Sequence, residues 1–112
     1  MLLILTVNYR TPQLVLQGLH ALAPQLAAHP DARVVIVDNA SGDGSTEAIG
    51  EGIAAAGFQP WATVLGTPRN GGFAYGNNFG FAAAVEGRTP WGPLRPDVVW
   101  LLNPDTEVRP GA

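Results

Sequence analysis

The sequence predicts an α/β fold, a three-layer sandwich around a mainly parallel sheet, and two features of the chain carry that prediction. Near-continuous apolar runs at Leu2 to Val7, Val34 to Val37 and Val98 to Leu102 have the character of strands buried on both faces. Between them lie stretches with helical spacing and turn chemistry, the alternation that builds a parallel sheet with crossover helices. The chain is 112 residues long, 46% hydrophobic and only 13% charged, which fits a single domain spanning residues 1–112 with one core.

In chain order, the first run lacks a basic lead-in and is closed by Asn8 and Arg10, so it is too short for a membrane span and reads as a strand. Thr11 is placed to cap a helix with Pro12 in its first turn, and Val15, Leu19, Leu22 and Leu26 share one face of it; Pro24 is expected to bend or shorten this helix. After the second strand, Ala40 to Ser45 is turn chemistry. Ser45 is expected to cap a helix running through Ile49 and Ile53 to Gly57. Trp61 to Leu65 reads as a short third strand. Asn70-Gly71-Gly72 opens a third helix, roughly Phe73 to Glu86, with Phe81 and Val85 one turn apart. A loop with three prolines and two glycines, Gly87 to Pro96, delivers the chain into a last strand, which is expected to be interior. Right-handed crossovers then put the first strand between the second and the last, in a sheet of at least four parallel strands.

Composition excludes several classes of function. All six basic residues are Arg, against nine acids and a net charge of -3, so no basic face is large enough to neutralise a nucleic-acid backbone. The absence of cysteine removes disulfides, thiolate metal sites and thiol catalysis. The first βα turn is Asn8-Tyr9-Arg10-Thr11-Pro12 rather than a glycine-rich phosphate loop, which disfavours a dehydrogenase-type dinucleotide domain.

The polar residues that end strands are the candidates for chemistry, because ligands of open parallel sheets sit beyond the carboxyl ends of the strands. Asn8 ends the first strand, Asp38 and Asn39 the second, Asn103 and Asp105 the last. Asp38 is placed either to accept hydrogen bonds from a ribose hydroxyl or base N–H, or to form an Asx turn. The segment Asn70 to Gly80 is rich in Gly and Asn, both poor helix formers. These residues suit either close approach of a ligand, read by side-chain amides, or a tight helix-to-sheet seam. Asn103-Pro104-Asp105 offers an amide and a carboxylate two residues apart. That is enough for a divalent cation that completes its shell with water and phosphate oxygens, and equally the makings of an ordinary turn. His20 and His29 read as surface residues, Trp61 and Trp100 as core or strand-face aromatics.

Four motifs in order, Val7-Asn8-Tyr9, Val35 to Ser45, Asn70 to Asn78 and Trp100 to Asp105, resemble the family 2 glycosyltransferases, most closely the rhamnosyltransferase-like branch. The resemblance covers the chain but only the N-terminal, nucleotide-binding part of such an enzyme. It implies a truncated GT-A fold acting as a nucleotide-sugar-binding donor domain. It further implies that Asn8 and Tyr9 line the base pocket, that Asp38, next to Asn39, contacts base or ribose, and that Asn70, Phe73, Gly76 and Asn77 shape the nucleotide-sugar site. Asp105 corresponds to the last acid of the family's DxD-like motif, which holds Mg²⁺ or Mn²⁺ against the diphosphate; Asn103 stands where the first acid is expected.

The activity implied is inverting transfer of a hexosyl or rhamnosyl group from a nucleotide-sugar to a hydroxyl of a glycan or lipid-linked acceptor. The general base is expected beyond Ala112; Asp97 and Glu107 are the nearest acids, and neither matches its motif. A stand-alone nucleotide-binding or interaction module without catalytic activity is the alternative. The location implied is cytoplasmic, peripheral to the membrane in a full-length protein. An open edge at the last strand is expected to favour self-association.

Overall fold

The computed structural model describes residues 1–102. Seven elements follow in strict alternation: β1 (Leu2–Asn8), α1 (Pro12–Leu26), β2 (Arg33–Asp38), α2 (Ser45–Ala56), β3 (Ala62–Gly66), α3 (Gly72–Glu86) and β4 (Val98–Leu101). All strand pairs are parallel, in the order β3-β2-β1-β4. The first strand therefore lies between the second and the last, as its continuous apolar character predicts. The architecture, three helices on an all-parallel four-stranded sheet, is consistent with a GT-A type domain.

The period-2 alternation of β1 sorts its residues between two cores. Ile4 joins Val34, Ile36 and Ala62 beneath the apolar stripes of α1 (Val15, Leu19, Leu22, Leu26) and α2 (Ile49, Ile53). Leu3, Leu5 and Val7 join Val35 and Val37 under α3. These two layers on either side of one sheet make the three-layer sandwich. α1 and α2 carry the chain from β1 outward through β2 to β3, and α3 carries it back across the opposite face to β4. The strand order thus reverses between β1 and β4, the switch point at which ligands of such sheets bind.

The structure corrects several expectations. β4 is the open edge expected of the last strand, but it is not interior as its apolar run suggests: all four residues are exposed, from 37% at Trp100 to 59% at Val98. α1 runs through Pro24 to Leu26. Thr11 occupies the N-cap position of α1 without a side-chain cap; its own N–H and hydroxyl donate to Asn8 Oδ1 instead (3.1 and 2.9 Å). Ser45 is the first residue of α2, not its cap. The cap position is Gly44, at φ +82°, and Asp43 accepts hydrogen bonds from both the Ser45 N–H (3.0 Å) and its hydroxyl.

α3 departs furthest from the usual amphipathic pattern. Its buried face is Gly76, Asn77, Gly80, Ala83 and Ala84, while Phe81 and Val85 point outward and are each 42% exposed. A Cβ added at Gly76 would lie 2.9 Å from Val7, and one at Gly80 would lie 2.7 Å from Val37. The glycines let the helix backbone sit directly on the sheet, so the seam reading of this segment is realised along its second and third turns.

Candidate functional site

The carboxyl ends of β1 and β2 are in register, Asn8 against Asp38, so parallel pairing alone brings these two buried side chains together. Asn8 is fully buried and Asp38 is 4% exposed. The Asn8 amide donates to Asp38 Oδ1 (3.0 Å), the Ser41 hydroxyl donates to the same oxygen (2.5 Å), and the Thr46 hydroxyl donates to Asp38 Oδ2 (2.6 Å). Asn8 Oδ1 accepts from Thr11 at the start of α1. One buried carboxylate therefore ties together the end of β1, the end of β2, the loop after β2 and the first turn of α2. Three of its roughly four acceptor sites are occupied by protein donors.

Asn39, also buried, extends this network towards α3. Its amide donates to the Gly72 carbonyl (2.9 Å), its Oδ1 accepts from the Thr67 hydroxyl (3.3 Å), and its backbone N–H donates to the Asn8 carbonyl (2.9 Å). Thr67 in turn donates its N–H to the Asp38 carbonyl (2.9 Å). The N-terminus of α3 is thereby pinned to the same sheet edge.

The backbone around this edge is unusual. Arg10 (φ +60°) and Ala40 (φ +55°) are the two non-glycine residues with positive φ among the described residues, and they stand on the loops after β1 and β2. Each such residue stores about 1 kcal/mol or more of strain, a cost that is found where the surroundings hold a site in shape. Here the Ser41 hydroxyl accepts from the Arg10 N–H (2.8 Å), and the Ser41 carbonyl accepts from Arg10 Nε (3.2 Å). The Arg10 guanidinium lies 5.1 Å from the centre of the Tyr9 ring, which is 44% exposed. The Ser45 hydroxyl holds the Asp43 carboxyl below the usual carboxylate range, helped by the nearby charge of Arg10.

An open cleft of about 490 Å³ lies beside the network, lined by Asp38, Ala40, Ser45, Thr46, Glu47 and Thr67 among others. A second cleft, of about 340 Å³, is walled by Leu26, His29, Arg33 and Trp61 at the opposite, amino end of the strands; it holds none of the predicted site residues.

Of those residues, Asn8, Asp38 and Asn39 form one network, with exposed Tyr9 at its rim. Asn70 is exposed and accepts from the Gly72 N–H (3.0 Å), closing an Asx turn before α3. Phe73 is 53% exposed on the first turn of α3, and Gly76 and Asn77 are buried one turn further on. Asn103 and Asp105 lie outside the described residues. Leu102, just before them, donates its N–H to the Leu5 carbonyl (2.8 Å), and its carbonyl accepts from the Thr6 hydroxyl (2.5 Å). The described chain therefore ends beside β1 at this same edge. Among the described residues no three His, Asp or Glu side chains cluster as metal ligands, and Asp38's oxygens are engaged by protein donors.

The parts that sequence reasoning missed are Ser41, Thr46 and Thr67, which supply hydroxyls to Asp38 and Asn39. Ser41 stands within the Ala40 to Ser45 turn, and only the tertiary fold reveals that its hydroxyl turns inward.

A family model described as glycosyl transferase family 2 matches residues 2–112. The match does not favour a stand-alone nucleotide-binding or interaction module. No curated protein and no solved structure matches the chain. No helix among the described residues is long and apolar enough to cross a membrane.

Proposed function

The chain belongs to glycosyl transferase family 2, and on that premise we propose that it is the donor-binding region of an inverting glycosyltransferase, which moves a sugar from a nucleotide-sugar to an acceptor hydroxyl. The observation that carries this reading is the Asn8–Asp38–Ser41–Thr46 network. It sits at the carboxyl edge of a parallel sheet, beside the switch point between β1 and β4 and next to an open polar cleft. In such sheets this is where nucleotides bind.

On this reading Asp38 acts in two ways. Three internal hydrogen bonds fix its carboxylate, and the acceptor capacity left over faces the cleft, where a ribose hydroxyl or base N–H can donate to it. The exposed Tyr9 ring offers a surface for the base, and Asn39 positions the start of α3 against the nucleotide-sugar. In the transfer itself the acceptor oxygen bonds to the anomeric carbon as the bond to the diphosphate breaks, and the acceptor's proton passes to a general base. The four motifs support assignment to the rhamnosyltransferase-like branch, with hexosyl or rhamnosyl transfer to a glycan or lipid-linked acceptor, in a cytoplasmic enzyme peripheral to the membrane.

Mg²⁺ or Mn²⁺ bound through Asp105 would offset charge growing on the departing diphosphate. Titration of UDP, GDP and dTDP with Mg²⁺, with Mn²⁺ and with chelator, on wild type and Asp105→Ala, tests the reading. One nucleotide should bind, with a metal coupling of about 1–3 kcal/mol that Asp105→Ala removes. Absence of binding by all three would contradict donor binding. Binding without metal dependence would return Asn103-Pro104-Asp105 to an ordinary turn.

A further inference from the structure

Among the described residues, Asn77 alone has buried side-chain polar atoms that meet no hydrogen-bond partner, and this holds for both Nδ2 and Oδ1. The residue is 7% exposed. Leaving a buried amide unpaired is costly, and Ala83 and Ala84 on the same face show that the helix tolerates a small apolar residue against the sheet.

The position of this amide is specific. Side chains on a helix lean toward its N-terminus, so the amide of residue 77 lies over the turn containing Phe73 and Ala74. The neighbouring Gly76 sits against Val7, one residue before Asn8, which puts this turn of α3 at the carboxyl end of β1. The N-terminus of α3 has no side-chain cap and no acid in its first turn. Asn70 takes the Gly72 N–H, leaving the N–H groups of Phe73 and Ala74 and the positive end of the helix dipole available to an anion. Residues 71–74 are exposed, and Gly72 adopts φ +88°. A ligand therefore reaches the helix start that overlies the amide directly from solvent.

Resting on the donor-binding reading above, we propose that Asn77 is a specificity-determining residue. Its buried amide, both donor and acceptor, pairs with a hydroxyl of the transferred sugar, while the Phe73 and Ala74 N–H groups hold the adjacent phosphate. A sugar hydroxyl also donates and accepts, so it can satisfy both of Asn77's orphaned atoms.

The test compares wild type, Asn77→Leu and Asn77→Ala of the full chain. Calorimetry is run with UDP, GDP and dTDP and with UDP-glucose, GDP-mannose and dTDP-rhamnose, all in Mg²⁺, and melting is followed by circular dichroism. In wild type the matching sugar conjugate should bind more tightly than its bare nucleotide. Both variants should lose about 5- to 10-fold of that increment while keeping bare-nucleotide affinity. Bare-nucleotide binding with an unchanged sugar increment would overturn this proposal alone, as it would if a buried water were Asn77's only partner. Failure of every nucleotide to bind would overturn the donor-binding reading and this proposal together.

Discussion

Replacing Asp38 with Asn removes one charge and almost no volume, so its effect isolates the charge on the carboxylate that joins four segments of the fold. In the wild type, Asn8, Ser41 and Thr46 donate to this carboxylate at 3.0, 2.5 and 2.6 Å, and the residue is 4% exposed. Hydrogen bonds to a charged acceptor contribute about 1.5–3 kcal/mol each, against about 1 kcal/mol for neutral pairs. The substituted amide keeps one acceptor oxygen for Asn8 and Ser41, and its NH₂ faces Thr46, whose hydroxyl must turn to accept. Three charge-assisted bonds become neutral ones, and the expected loss of stability is about 2–4 kcal/mol. In a domain of this size that lowers the melting temperature by roughly 10 °C or more. Urea denaturation at neutral pH, with a slope unchanged from wild type, measures it directly. A midpoint within experimental error of wild type would refute the reasoning, because the charge on the carboxylate would then add nothing to the network. The same variant should bind nucleoside diphosphate roughly 10- to 150-fold more weakly at a temperature where both proteins are folded.

Further outcomes follow from the packing and the charges. Gly80→Ala should destabilise despite its better helix propensity, because its Cβ would lie 2.7 Å from Val37 and 3.2 Å from Leu5. Gly50→Ala in α2, whose Cβ would meet Val64 at an ordinary 3.7 Å, should stabilise by about 0.5–1 kcal/mol; two chemical denaturation curves compare them. The Met1 ammonium donates to Asp97, which raises its pKa above the ordinary 8.0 and lowers that of Asp97 below 3.8. Stability from the ammonium is present below about pH 8 and lost as pH rises through its raised value; that from Asp97 is present above 3.8 and lost as pH falls through its lowered value. Asp97→Asn should therefore be less stable than wild type only between these limits, by an amount that added salt reduces, with melting curves merging at both extremes. Sedimentation should reveal concentration-dependent association through β4 that Val99→Lys abolishes, and a clean wild-type monomer would remove that idea.

The strands and crossovers were legible because burial on both faces leaves a direct trace in sequence. Leu3 to Val7 and Val34 to Val37 are apolar or β-branched throughout, and all are buried. β4 has the same trace but lies at an exposed edge, since an apolar run alone does not say whether a strand is paired on one side or two. The side chains that serve the helix starts are hidden from sequence for a related reason. Thr11 and Ser45 are good capping residues by type, yet Asn8 and Asp43 supply the acceptors, one reaching from a strand end and the other over Gly44 in a left-handed turn. In the site, Asn8, Asp38 and Asn39 could be named from their places at strand ends. The hydroxyls of Ser41, Thr46 and Thr67 could not, because their inward direction is set by contacts across loops distant in sequence. Gly76 and Gly80 were legible as unusual for a helix, and the structure assigns them to a close seam with Val7 and Val37.

The central claim is that the carboxyl edge around Asp38 binds a nucleotide-sugar, and amide chemical-shift mapping tests it most directly. Titration of the isotopically labelled chain with UDP-glucose, GDP-mannose and dTDP-rhamnose in Mg²⁺ should perturb residues 8–11, 38–46 and 67–77 with at least one donor. The amides around the opposite cleft at His29, Arg33 and Trp61 should stay in place. Shifts centred on that opposite cleft, or no shifts with any donor, would contradict the account.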